Sequence, residues 1–264
     1  MLLLRPSWHG PFDIVGDVHG CLNELLDLMA ALGYRVEPQA SGSTVSPPAG
    51  RKLAFVGDLV NRGPATTGVL RLVVSMVNAG QALCVPGNQD LKLVAMLKGS
   101  LAQPTPGLAR SLEQFAAEPA EFRTAVIDFF EALPGHLVLD SGKLVIAHAG
   151  LPQTMQGSRS ARARAFALTG ETTGEIDEFG LEVRCNWAAD YRGRALVVFG
   201  HTPVVEPLWL NNTVNIDTGC VYGGQLTALR YPERETVSVP ARAVYSESRR
   251  RFPPNQSLAD QPEN

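Results

Sequence analysis

The sequence predicts an α/β fold, and three observations carry the prediction. First, one phrase recurs along the chain: a short apolar run rich in β-formers stops, most often at a glycine, and polar residues follow at once. "FDIVG" leads into "DVHG", "KLAFVG" into "DLVNRGP" and "ALCVPG" into "NQD"; later, "KLVIA" leads into "HAG", "ALVVFG" into "HTP" and "TVNI" into "DTGC". Short apolar runs punctuated in this way are strands buried on both faces. Second, helical apolar stripes separate the early runs, which is the alternation of an α/β domain. Third, the residues that follow the strands are drawn from a few polar types, and α/β sheets gather ligands beyond the carboxyl ends of their strands.

Taken in order, "LNELLDLMAALG" is a helix closing at Gly33 and "TTGVLRLVVSMVNAG" a helix closing at Gly80, glycine being the expected stop just past a helix. Residues 36–50, "VEPQASGSTVSPPAG", are rich in Ser, Pro and Gly and read as a surface loop. Between 107 and 135, "LARSLEQFAAE" and "EFRTAVIDFFEAL" each carry an apolar stripe suited to core packing or to a lid. Residues 153–194 have few strand signals and a basic stretch, "SRSARARA", and the runs "LTALRYPE" and "TVSVP" read as a hairpin. One domain is expected over residues 1–244, with 245–264 a polar, disordered tail.

Of the 264 residues 45% are hydrophobic and 19% charged, which excludes a disordered chain. A net charge of -3 gives no overall attraction to nucleic acid, so an anionic ligand must be held by local positive charge or by metal. The cysteines, Cys21, Cys84, Cys185 and Cys220, form no C-x-x-C pair, which excludes a zinc ribbon or redox motif and fits a reduced, cytoplasmic protein. "MLLLRPSW" has too few apolar residues for a signal peptide, and no apolar run reaches the ~18 residues of a membrane span, so no membrane partner is expected.

The polar residues at the strand ends are Asp17, His19, Asp58, Asn88, His148, His201 and Asp217. Singly, each would be a helix cap or turn former. Together, carboxylates, imidazoles and an amide oxygen at one end of a sheet suit divalent cations of the Mn, Fe, Co or Zn group. A carboxylate shared by two cations about 3.5–4 Å apart makes a clamp for a phosphoryl oxygen.

In this order, "GDVHG", "GDLVNRGP", "GNQD", "HAG", "GHTP" and "NIDTGC" resemble the motifs of the calcineurin-like metallophosphoesterases, over nearly the whole chain. The resemblance implies two packed mixed β-sheets flanked by helices in four layers. It also implies hydrolysis of phosphate esters or anhydrides by a hydroxide bridging two divalent ions. The expected metal is Mn²⁺, with Fe, Co, Ni or Zn able to compete. Asp17 and His19 would hold the first ion, Asp58 would bridge, and Asn88, His148 and His201 would complete the second, with Asp217 near the first. Arg62 matches the arginine that grips substrate phosphate, a task suited to a bidentate guanidinium. Longer segments, "GVLRLVVSMVNAGQALCVPGN" and "NWAADYRGRALVVFGHTPV", are similar to the phosphatase domain of bacterial polynucleotide kinase-phosphatases, although the kinase's G-x-x-x-x-G-K-[ST] loop does not occur. The substrates implied are a phosphorylated small molecule, a nucleotide, a phosphoprotein or a nucleic-acid end. Diadenosine tetraphosphate hydrolases and bacterial protein phosphatases share the same motifs.

The chain departs from the family pattern, G-D-x-x-D-R-G and G-N-H-[DE], at one place: Asn61 replaces the second Asp and Gln89 the His. In relatives the Asp orients and charges the His, which protonates the leaving oxygen, and an amide cannot do this. Three readings stand: drift, substitutions introduced to trap a substrate, or an adjusted chemistry. The last predicts slow turnover of alkyl phosphates and a smaller loss for aryl esters or anhydrides. A chain that binds metal and phosphate ligands with little turnover is the alternative of a different class. Arg159, Arg162 and Arg164 of "SRSARARA" either hold a polyanionic substrate or form a solvated helix face. Trp187 and Tyr191 either pack or stack a base, and Cys220 reads as a buried structural thiol.

Overall fold

In the computed structural model, which describes residues 8–39, 42–250 and 252, each of the six apolar runs is a strand. The chain begins with β1 (Phe12–Val15), α1 (Leu22–Ala31), β2 (Arg35–Gln39), β3 (Gly42–Ser46), β4 (Lys52–Phe55), α2 (Thr66–Asn78), β5 (Ala82–Cys84) and α3 (Asn88–Leu97). It continues through α4 (Pro106–Ala116), α5 (Ala120–Ala132), β6 (His136–Leu139), β7 (Leu144–Ala147), α6 (Ala161–Thr169), β8 (Thr172–Ile176) and β9 (Glu182–Arg184). It closes with β10 (Leu196–Phe199), β11 (Leu208–Leu210), β12 (Thr213–Asn215), β13 (Gln225–Tyr231) and β14 (Glu235–Pro240).

Two five-stranded mixed sheets result, in the orders β14-β13-β1-β4-β5 and β11-β12-β10-β7-β6. In the first, β1, β4 and β5 run parallel; in the second, β7, β10 and β12 do. Strand alternation sends Phe12, Ile14, Ala54 and Val56 inward to meet Ile146, Leu196, Val198 and Val214 in one buried cluster between the sheets. The opposite faces are equally apolar: Val15, Leu53 and Phe55 pack under α1 and α2, and Val145, Ala147 and Val197 under α6. Burial on both faces is why these strands read as unbroken apolar runs. The layers are helix, sheet, sheet, helix, as the resemblance implied.

The helix stops expected at Gly33 and Gly80 are present, both with positive φ (92° and 70°). At each, the glycine N–H and the next N–H donate back into the last turn: Gly33 to Ala30 and Tyr34 to Met29, Gly80 to Val77 and Gln81 to Met76. The segment 107–135 is core packing: Leu108, Phe115, Val126 and Phe130 are buried against the α1–α2 side of the molecule.

Three segments differ from expectation. Residues 36–50 hold the β2–β3 hairpin rather than a loop, because Val36 pairs with Val45 and Val45 enters the core while Thr44, Ser46 and Pro47 are exposed. Residues 153–194 contain α6 and the mostly exposed β8–β9 hairpin, whose polar strands give no apolar signal. Beyond Val244 the chain starts out tied down: the Tyr245 and Ser246 N–H groups donate to the Val221 carbonyl (3.0 and 3.1 Å), and the Tyr245 hydroxyl donates to Glu24 (2.7 Å). Arg250 pairs with Asp177 at 2.7 Å. The remainder of the expected tail, residues 251 and 253–264, lies outside the described residues. Among those described, no helix is long and apolar enough to cross a membrane.

Candidate metal centre

Six parallel-strand ends, those of β1, β4, β5, β7, β10 and β12, deliver Asp17, Asp58, Asn88, His148, His201 and Asp217 to one edge of the two sheets, and the loop after β1 adds His19. Ligand atoms of Asp17, His19 and Asp58 lie within 4.8 Å of one another, and so do those of Asp58, His148 and His201. Asp58 belongs to both groups, one oxygen to each side. Its Oδ2 is 3.6 Å from His19 Nε2, and its Oδ1 is 3.4 Å from His148 Nε2. Asp17 Oδ2 lies 4.0 Å from His19 Nε2, Asn88 Oδ1 3.3 Å from His148 Nε2, and His201 Nδ1 3.0 Å from the same nitrogen.

The backbone is strained to achieve this. Among the described residues nine non-glycine positions have positive φ, and five of them are His19, Asp58, Asn61, Arg62 and His201. Each such residue costs about 1–3 kcal/mol, which persists only where the surroundings enforce it. Two motif glycines have a related cause: a methyl group on Gly87 would overlap the Asp58 carboxylate, and one on Gly200 would overlap that of Asp17. Asp90 holds the loops in register, accepting from Gly87 N–H (2.8 Å) and Leu59 N–H (2.9 Å). The first turn of α3 in turn donates Gln89 N–H to Asp58 Oδ1 (2.8 Å).

The protonation states follow from these partners. A carbonyl only accepts, so His19 Nδ1 carries the proton donated to Val60 O (2.9 Å) and His148 Nδ1 that donated to Val56 O (3.1 Å). Both Nε2 lone pairs are thereby turned toward Asp58, the usual backbone support of a ligand histidine. Burial, followed by the charge of Arg62, lowers His19 to about 3; burial also lowers His148, and burial with the neighbouring His148 lowers His201. All three imidazoles are therefore neutral at pH 7. Burial works to raise the Asp58 carboxyl, but attraction to His148 and His19, where acid protonates them, and to Arg62 outweighs it and holds the group below its ordinary value. Asp17 is raised by burial and by repulsion from Asp217 and Asp58. Asp217 is pushed up to about 7 by burial and by Asp58. Three buried carboxylates this close call for positive charge between them, and His201 Nε2 is buried without a hydrogen-bond partner. Carboxylate and neutral imidazole donors in two groups sharing Asp58 fit a pair of divalent cations.

Around the cluster, Asn61 and Gln89 meet as an amide pair, Asn61 Nδ2 donating to Gln89 Oε1 at 3.3 Å, both side chains buried. Arg62 reaches the same space, its Nη1 2.7 Å from His19 Nε2, with Tyr222 stacked on its guanidinium at 5.6 Å. A second arginine, Arg184 at the end of β9, is half-buried, acts electrostatically on Asp58, His148 and His201, and is anchored by a bond to Thr169 O. Sequence reasoning missed Arg184 and Tyr222, for which no local signal exists. Asp90 was also missed, although an acid in the first turn of a helix was a legible cue. Arg162 and Arg164 lie on the exposed face of α6 and Arg159, also exposed, precedes the helix's Ser160 cap; among the described residues no hydrogen bond or ion pair joins the three to the cluster. Trp187 and Tyr191 do pack: their rings meet edge-on at 5.9 Å, and Tyr191 is buried. Cys220 is buried beside Cys21, and a hydrogen bond with Cys21 together with burial pushes its thiol well above the ordinary value.

A fold of two mixed sheets whose strand ends converge on shared carboxylate and imidazole donors defines a metal-dependent phosphoesterase. The model of the calcineurin-like phosphoesterase family matches residues 10–205, and the chain belongs to that family. Among the curated relatives, it is 49% identical over 238 residues to a bis(5'-nucleosyl)-tetraphosphatase PrpE [asymmetrical] of Anoxybacillus flavithermus, covering 89% of this chain and 96% of the relative. A protein of the same name from a Geobacillus species is 45% identical, with 88% and 95% covered. A crystal structure provisionally named a diadenosine tetraphosphatase superposes with a TM-score of 0.65 at 29% identity, covering 91% of this chain and 97% of the other. These relatives overturn the narrower likeness to polynucleotide kinase-phosphatases. The segments that suggested it carry α2, β5, β10 and the loops of Asn88 and His201, so most of that likeness records fold and reaction type.

Proposed function

We propose that the chain hydrolyses a phosphoanhydride bond of a dinucleoside polyphosphate, converting a tetraphosphate and water into a nucleoside triphosphate and a nucleoside monophosphate. The observation that carries the reading is the amide pair Asn61–Gln89, buried beside an otherwise complete donor set. A general acid is needed when the leaving group is an alkoxide. A phosphate leaves as a stable anion and needs none. The relatives at 49% and 45% identity carry the name of an enzyme with such a leaving group.

Asp17, His19, Asp58 and Asp217 would hold one divalent cation, and Asp58, Asn88, His148 and His201 the other, with Mn²⁺ the expected ion. The pair would supply Lewis acidity toward a phosphoryl oxygen and a nucleophile drawn from water at neutral pH. Arg62, braced by Tyr222, would orient the attacked phosphoryl group by a forked pair of hydrogen bonds. Arg184 would offset charge on the phosphates of the leaving nucleotide. Asn61 would hold the Gln89 amide in place, where it can hydrogen-bond a phosphate oxygen without exchanging a proton. The same reading places the chain in the cytoplasm, where its cysteines, none in a disulfide, stay reduced.

The test is incubation of the Mn²⁺-loaded protein with diadenosine tetraphosphate and chromatography of the products. ATP and AMP in equal amounts are expected. Binding of metal and tetraphosphate with no product would overturn the reading in favour of a binding protein.

A further inference from the structure

A cavity of about 540 Å³ opens among the segments that follow β7 and β9, within the ~300–1,000 Å³ typical of small-molecule sites. Its walls continue two of the site loops. Pro152 follows His148 by four residues, and Asn186 follows Arg184 by two. Gly150, between His148 and Pro152, lies so close to the Trp187 ring that a methyl group there would overlap it.

The lining is of two kinds. Trp187 is held by three other rings, Phe166, Tyr191 and Phe199, at centroid distances of 6.3, 5.9 and 5.2 Å. A ring held this firmly presents an apolar surface and loses little freedom when a ligand covers it. The polar wall carries two carboxylates, Glu171 and Asp190, against one cation, Arg192, and adds the Asn186 amide. Net negative lining disfavours phosphate. It suits a neutral aromatic heterocycle with N–H donors and a ribose diol, whose hydroxyls carboxylates accept from.

We infer that this cavity holds one nucleoside of the substrate, its base against Trp187 and Pro152, with the attached phosphates running past Arg184 to the cluster. The inference rests on the anhydride reading above and locates one end of that substrate. It also reconciles the two readings of "NWAADY": Tyr191 packs, and by packing holds the Trp187 surface that the base covers.

The test uses the full Mn²⁺-loaded chain and two substitutions at exposed lining positions outside the catalytic machinery, Thr154→Phe, which places a ring in the cavity, and Glu171→Ala. For Thr154→Phe, KM for diadenosine tetraphosphate should rise about tenfold or more, with turnover of p-nitrophenyl phosphate unchanged. Glu171→Ala should shift KM in the same direction by less. Adenosine alone should quench tryptophan fluorescence saturably in the wild-type chain and not in Thr154→Phe, and should inhibit tetraphosphate hydrolysis competitively. An unchanged tetraphosphate KM in Thr154→Phe, with wild-type hydrolysis intact, would overturn this inference and leave the anhydride reading standing. If the wild-type chain hydrolyses p-nitrophenyl phosphate but no anhydride, the anhydride reading fails instead. In that case the adenosine quench and its sensitivity to Thr154→Phe decide the cavity alone: no saturable quench overturns it.

Discussion

Replacing Asn61 by Asp and Gln89 by His together should return a proton donor to the position where two amides now meet. Both side chains are buried, 1% and 8% exposed, and Asn61 Nδ2 stands 3.3 Å from Gln89 Oε1. Carboxylate and imidazole are close in size to the amides they replace, so the new pair would form within hydrogen-bonding reach. The buried carboxylate would then keep the imidazole charged. A positioned general acid is worth about 10²–10⁴ in rate, or about 3–5.5 kcal/mol of barrier. That gain falls only on leaving groups that need a proton. Turnover of glycerol phosphate should therefore rise about 10²-fold or more, while p-nitrophenyl phosphate and diadenosine tetraphosphate should gain less than about tenfold. The assay is steady-state hydrolysis of the three substrates by wild-type and doubly substituted protein in one Mn²⁺ buffer. Equal gains on all three would refute the leaving-group argument.

Other perturbations probe the centre itself. Gly200→Ala drives a methyl group into the Asp17 carboxylate; calorimetric titration should show the site containing Asp17 and His19 lost or weakened while the fold persists, and normal binding at both sites would contradict the close-approach argument. Arg184→Gln should raise KM for the tetraphosphate about tenfold and leave Mn²⁺ stoichiometry unchanged; an unaltered KM would remove Arg184 from substrate binding. Asp217 predicts a pH effect. Its folded pKa of about 7 lies above the ordinary 3.8, so between these values the folded metal-free chain holds a proton that the unfolded chain has released. On this group's account, metal-free stability falls as pH rises from about 4 to 7, by at most on the order of 4 kcal/mol. A bound cation removes that penalty, so the gain in Tm on adding Mn²⁺ should grow from pH 5 to pH 8. A gain independent of pH in differential scanning calorimetry would contradict the assignment.

Much of this was legible in the sequence because the strands at issue are buried on both faces and the residues after them are polar by necessity. "KLAFVG" followed by "D" announces both a central strand and a functional loop, and all six such runs are strands whose ends meet. The hairpin β2–β3 was not legible, since its core contacts come from isolated valines, Val36 and Val45, and the Pro and Ser in the sequence between them imitate a loop. Arg184 comes to the cluster from an exposed hairpin 36 residues beyond His148 in the chain, and its role depends on a fold-level approach that no local pattern encodes. Asn61 and Gln89 show the opposite case. Their departure from pattern was plain in the sequence, but only the structure shows that the two amides are bonded to one another. The likeness to kinase-phosphatases misled for a related reason, because metal loops record the reaction type and not the molecule on which it acts.

The most direct test of the account is a comparison of kcat/KM for the wild-type, Mn²⁺-loaded chain on diadenosine tetraphosphate and on glycerol phosphate. An enzyme with an intact metal centre and no general acid should favour the anhydride by at least about 10²-fold, the smallest contribution a missing acid makes to an alkyl leaving group. Similar values for the two substrates, or a preference for the alkyl ester, would contradict it.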